Sequence, residues 1–112
     1  MKLLTKAIEN KLIKNYELNE KTGEENFKPV VKFFGGGACT WLITEYDKEN
    51  NLFFGLADLG MGFPETGWIS REELETIRFQ FGLGIERDLY WEADKTLSEY
   101  TKIAQQNQRI VA

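Results

Sequence analysis

At 112 residues the chain has the size of one ordinary domain, long enough to bury a core without disulfide or metal staples. A 42% hydrophobic and 13% aromatic share is that of a globular chain, and no apolar run approaches the ~20 residues that cross a bilayer. With no histidine and one cysteine, an internal disulfide, a Ser-His or Cys-His pair and a histidine-built zinc centre are excluded within one chain. The early lysines flank no continuous apolar leader, so a cytoplasmic protein without a membrane span is expected. The net charge of −4 is unevenly placed: +1 over residues 1–28, −3 over 29–70 and −2 over 71–112. Duplex binding needs phosphates neutralised by Lys and Arg, so this distribution argues against duplex DNA as a partner.

Taken in order, Thr5 caps a helix expected over 5–16, with Ile8, Leu12 and Tyr16 on one stripe and Lys6, Asn10 and Lys14 facing solvent. Residues 19–28 are polar, contain Gly23, and read as an exposed loop ending at Pro29. Pro29 opens a strand, Val30-Val31-Lys32-Phe33-Phe34, closed by Gly35-Gly36-Gly37. Residues 39–47 form a second strand, with Cys39, Trp41 and Ile43 on one face and Thr40, Leu42, Thr44 and Tyr46 on the other. Asn50-Asn51 supplies a turn, since asparagine tolerates positive φ, and 52–59 returns as a third strand. These strands are apolar on both sides and need cover on both; helices are expected over one face, and loops or a partner chain over the other.

Ser70 and Glu73 are spaced as a capping box for a helix reaching towards Gly82. A fourth strand is expected over 85–91, with Ile85, Arg87 and Leu89 opposite Glu86, Asp88 and Tyr90. Thr96 and Glu99 form a second capping box, followed by the stripe Leu97, Tyr100, Ile103, Ala104 and a tail over 105–112 expected to fray. The expectation is a single α+β domain over 1–112: a mostly antiparallel sheet of about four strands with three helices, in the order α-β-β-β-α-β-α.

The wording Val-Val-Lys-Phe-Phe, the Trp41 strand running into Thr-Glu-Tyr-Asp, Phe-Phe-Gly-Leu-Ala-Asp, the Ser70 helix, and Gly-Leu-Gly-Ile-Glu-Arg-Asp-Leu-Tyr-Trp-Glu resemble the domain of unknown function 2958 family. The resemblance runs in order along nearly the whole chain and departs at 35–39 and 60–66, where this chain has its own glycine-rich wording. That family comprises small bacterial proteins of plasmids, integrative elements and phages. It implies an accessory protein of mobile DNA, acting in transfer, maintenance or evasion of host defence, and it carries no activity to transfer residue by residue.

Candidate chemistry is sparse. Gly35-Gly36-Gly37 lacks the Lys-Ser/Thr and following helix of a phosphate loop, so a strand-end turn is its expected role. Residues 60–68 are the preferred binding loop: glycines such as Gly62 admit close approach, and Phe63, Glu65 and Trp68 offer stacking and hydrogen bonds. The competing account has Phe63 and Trp68 folding back over the sheet. Trp41, Tyr46, Phe53 and Trp68 could form a stacking platform for single-stranded bases, a reading weakened by the missing basic groove. Glu86 and Asp88 are the acids considered for chemistry, and Arg87 is expected to be partly buried against an acid. No metal, cofactor or catalytic residue is assigned. The favoured function is a non-catalytic interaction module that binds a protein or forms a homodimer. The alternative is a small ligand or nucleotide held at 60–68 with Arg87 as counter-charge, and a small enzyme using Glu86 or Asp88 ranks last.

Overall fold

A computed structural model describes residues 2–23 and 26–112. Its described elements are α1 (Lys6–Thr22), β1 (Val31–Gly35), β2 (Cys39–Asp47), β3 (Leu52–Asp58), β4 (Glu65–Ser70), α2 (Arg71–Thr76), β5 (Glu86–Arg87) and α3 (Leu97–Asn107). The strands form one antiparallel sheet in the order β4-β3-β2-β1-β5. The α+β class and the three helices are as expected; a fifth strand is added by β4.

Helix α1 begins where Thr5 Oγ1 accepts from Ile8 N and runs a turn and a half beyond the expected end, to a left-handed Gly23 that donates to Asn19 O. Part of the expected 19–28 loop is therefore helix, and residues 24 and 25 of that loop lie outside the described residues. Helix α2 starts at Ser70, whose Oγ accepts from Glu73 N, but stops at Thr76 rather than near Gly82. The reason is tertiary: Phe79 leaves the helix to lay its ring over Gly35 and Gly36, where added Cβ atoms would come within 2.5 and 2.6 Å of it. The triple glycine is a turn and a seat for that ring. The expected 85–91 strand shortens to Glu86–Arg87, because Asp88 Oδ1 turns back to accept from Tyr90 N.

One face of the sheet is packed by Leu12 of α1, Leu74 of α2 and the N-terminal Leu3 and Leu4, against Phe33, Trp41, Ile43, Tyr46 and Phe53. The other is packed by Leu97, Tyr100 and Ala104 of α3, with Ile110, against Leu42 and Leu56. A helix thus covers the face for which loops or a partner chain were expected. The tail does not fray: Ile110 is buried and its N–H donates to Asp58 Oδ2 at 2.9 Å.

Tyr46 joins Trp41 and Ile43 rather than facing away from them. A β-bulge causes this. Ile43 pairs with Gly55 but Glu45 pairs with Phe54, so Thr44 is an extra residue and the alternation of sides reverses there. The bulge draws β3 so close that a Cβ on Gly55 would lie 2.1 Å from Leu42 O, whereas Gly67, its partner on β4, has open space. Gly55→Ala is accordingly expected to cost about 3 kcal/mol and Gly67→Ala less than about 0.5 kcal/mol, read from urea unfolding midpoints. Equal costs at the two positions would show that the close approach is not what requires glycine.

Candidate functional site

Residues 60–68 divide into a loop and a strand. Asp58, itself buried, accepts from Gly60 N at 2.8 Å through Oδ1 while its Oδ2 holds Ile110 N. Gly60 and Gly62 take φ of +78° and +84°, turning the chain sharply before Pro64 is buried and β4 begins. Between these anchors Leu59, Met61 and Phe63 stand out at 51%, 68% and 78% exposure. Phe63 is therefore not folded over the sheet. Leu59 and Met61 were not singled out in the sequence; their exposure comes from the positive-φ glycines that alternate with them.

Trp68 is half-exposed and sits between Tyr16 and Phe54, with ring centroids 6.1 and 5.1 Å away. Glu65 is exposed opposite Ala57, while Trp68 lies opposite Phe54. With strand alternation this puts Glu65 and Trp68 on opposite sides of β4, so they do not converge on one ligand. The outer edge of β4 is open: among the described residues, the backbone groups of 65–69 bond to no segment but β3.

The other expected binding residues fall elsewhere. Trp41, Tyr46 and Phe53 are buried, and the Tyr46 hydroxyl donates to Asn51 Oδ1 with Arg71 over its ring. A base-stacking platform of Trp41, Tyr46, Phe53 and Trp68 is thereby ruled out, because three of its four members are core. Arg87 and Asp88 lie at the β5 edge, four strand spacings or roughly 19 Å from β4. There Arg87 Nη1 donates to the carbonyls of Lys2 and Leu3, tying down the N-terminal segment, and Asp88 lies 3.9 Å from Lys32 Nζ. Arg87 cannot serve as counter-charge for a ligand at 60–68. Among the described residues no three acidic or cysteine side chains converge as for a metal ion, and burial pushes the Cys39 thiol up, away from the reactive thiolate.

The sequence reading missed a cavity of about 450 Å³ on the α3 face. It lies between the C-terminal turn of α1 (Asn19, Gly23), the segment Asn26-Phe27, the strands (Thr44, Glu45, Phe54, Thr66), and α3 (Leu97, Ser98, Thr101, Lys102, Gln105). Glu45 carries no assignment in the sequence beyond its place in the second strand. The bulge at Thr44 turns it onto this face, where it is 4% exposed.

A family model described as "Protein of unknown function (DUF2958)" matches residues 3–111, nearly the whole chain. The chain belongs to that family. No curated protein and no solved structure shows significant similarity to it.

In this DUF2958 chain Glu45 is the electrostatic anomaly. Burial raises its pKa, the Asn19 amide opposes that by donating to Oε2 and Oε1 at 3.2 and 3.3 Å, and nearby Glu20 raises it further. A raised folded-state pKa means that the stability tied to the protonated carboxyl is fully present below about pH 4 and is lost as pH rises through the folded value. Glu45→Gln keeps an acceptor for Asn19 without a titrating charge. The variant is expected to melt above the wild type at pH 7.5 and level with it near pH 3.5, by calorimetry at both. A wild type that is the more stable form at pH 7.5 would mean that the carboxylate is adequately solvated there.

Proposed function

We propose that the chain is a non-catalytic interaction module whose partner is another protein, bound at Leu59, Met61, Phe63 and the open edge of β4. The observation that carries this is the exposure of three large apolar side chains on a short loop anchored at both ends, beside a strand edge with unused backbone donors and acceptors. An unpaired edge favours an extended segment that adds a strand, with main-chain hydrogen bonds for affinity and side-chain contacts for selectivity. Burying each of Met61 and Phe63 would contribute about 1.5–3 kcal/mol. Glu65, exposed at the start of β4, favours a basic residue on the partner. The setting proposed with it is the one that the family resemblance implies: a cytoplasmic accessory protein of a mobile genetic element, acting in transfer, maintenance or defence evasion.

The test is affinity capture with the whole chain from a bacterial host carrying such elements, alongside the Met61→Ser/Phe63→Ser double variant. The wild type should retain a defined protein in stoichiometric amount, and the variant, with unchanged thermal unfolding, should bind it about a hundredfold more weakly or worse. No retained protein, or equal retention by both forms, would overturn the reading.

A further inference from the structure

The cavity beside Glu45 has a composition that the β4 surface does not use. Phe27, Phe54 and Leu97 give it apolar walls; Thr44, Ser98, Thr101 and Gln105 add polar groups, and its volume falls in the range of small-molecule sites. Its strongest recognition element is the carboxyl group of Glu45, a residue only 4% exposed. A carboxylate has about four lone-pair sites, and the Asn19 amide is the one side-chain donor on it among the described residues. Acceptor capacity is left over at the wall of a cavity.

The amides that open α3 are already used. Leu97 N donates to Phe27 O, Ser98 N to Asn26 Oδ1 and Glu99 N to Thr96 Oγ1. The start of α3 is therefore spent on capping, and a phosphate would find no cradle there. Recognition falls to the carboxylate. A carboxylate with spare acceptor sites between aromatic walls fits a flat group that offers two adjacent N–H donors, since paired parallel bonds give both strength and orientation.

We propose that this cavity binds a small molecule through a planar group with adjacent N–H donors, of the guanine-edge or guanidinium type, held on Glu45. The burial that raises the Glu45 pKa supports the assignment, since acids perturbed by desolvation beside a cavity cluster at functional sites. Donors from a ligand restore the solvation that burial removed, and a group without them leaves the carboxylate unpaired. The hydroxyls of Ser98 and Thr101 and the ammonium of Lys102 would meet the remainder of the molecule.

The experiment is titration calorimetry of the full chain with guanosine, methylguanidinium and, as a flat base lacking that pair of ring and amino donors, adenosine. Each is repeated on Glu45→Gln, with amide chemical-shift mapping to locate the site. Guanosine alone binding identifies a base site, and methylguanidinium binding with or without it identifies a guanidinium site. In either case Glu45→Gln should remain folded and bind about tenfold more weakly or worse, with shifts centred on Phe27, Thr44, Glu45 and Thr101. The proposal is overturned if neither donor probe binds at millimolar concentration, if adenosine binds equally well, or if Glu45→Gln binds undiminished.

Discussion

The bulge at Thr44 and the close approach of Gly55 to the Leu42 carbonyl form the constraint on which the rest depends. Before the bulge β2 sends Trp41 and Ile43 into the α1 cluster and Leu42 into the α3 cluster. After it the order reverses, so Tyr46 returns to the α1 side and Glu45 lines the cavity on the other. One extra residue thereby keeps an aromatic in the core and turns an acid out of it. Without the bulge strict alternation would drive Glu45 among Ile43 and Phe53, an arrangement with a large desolvation cost. Past the start of β1, helix α1 flanks β2, and the Asn15 amide donates to the Thr44 carbonyl at 3.0 Å. That side chain supplies a donor to the carbonyl of the extra residue.

Around this centre the two faces are closed by different means. Helices α1 and α2 are joined by Arg71, which bonds Glu9 at 2.8 Å, lies 3.6 Å from Glu75 and covers the Tyr46 ring. The guanidinium beside Glu9 holds that carboxyl below its usual range, a sign that the pair is favourable to folding. Helix α3 is fixed at its start by Thr96 and Asn26, and after its end by Asp58 through Ile110. Asp58 also holds Gly60, so the same carboxylate anchors the C-terminal segment and the root of the exposed loop. The loop therefore projects from a braced position, which lowers the ordering cost of any contact made through Phe63.

Two features of the structure run against stability: the apolar tip of the loop and the buried acid beside α3. A chain selected for folding alone would place a polar residue at Phe63 and an amide or apolar residue at Glu45. Local departures of this sort, in a fold whose caps, turns and core otherwise agree with one another, are where function is most economically sought. They lie on different parts of the molecule and use different chemistry, one a protruding apolar surface and the other a recessed acceptor.

The caps at Thr5, Ser70 and Thr96, the turn at Asn51, the hairpin strands and the α+β class were determined by the sequence itself, because they rest on contacts within a few residues. The exposure of Phe63 is not among them, because the sequence left open whether that ring folds back over the sheet. What only the tertiary structure decided depends on partners distant in sequence. Pairing with β3 makes a strand of the second half of the glycine-rich loop and sends Glu65 and Trp68 to opposite sides. The Phe79 ring, seated on Gly35 and Gly36, ends α2 early, and Asp58 docks a tail whose composition reads as loose. The insertion at Thr44 shifts parity by one residue, which no periodicity count detects when both faces of the strand are apolar. That shift buries Tyr46 and moves Glu45 into the cavity, because side-chain direction in a strand follows hydrogen-bond register rather than residue type.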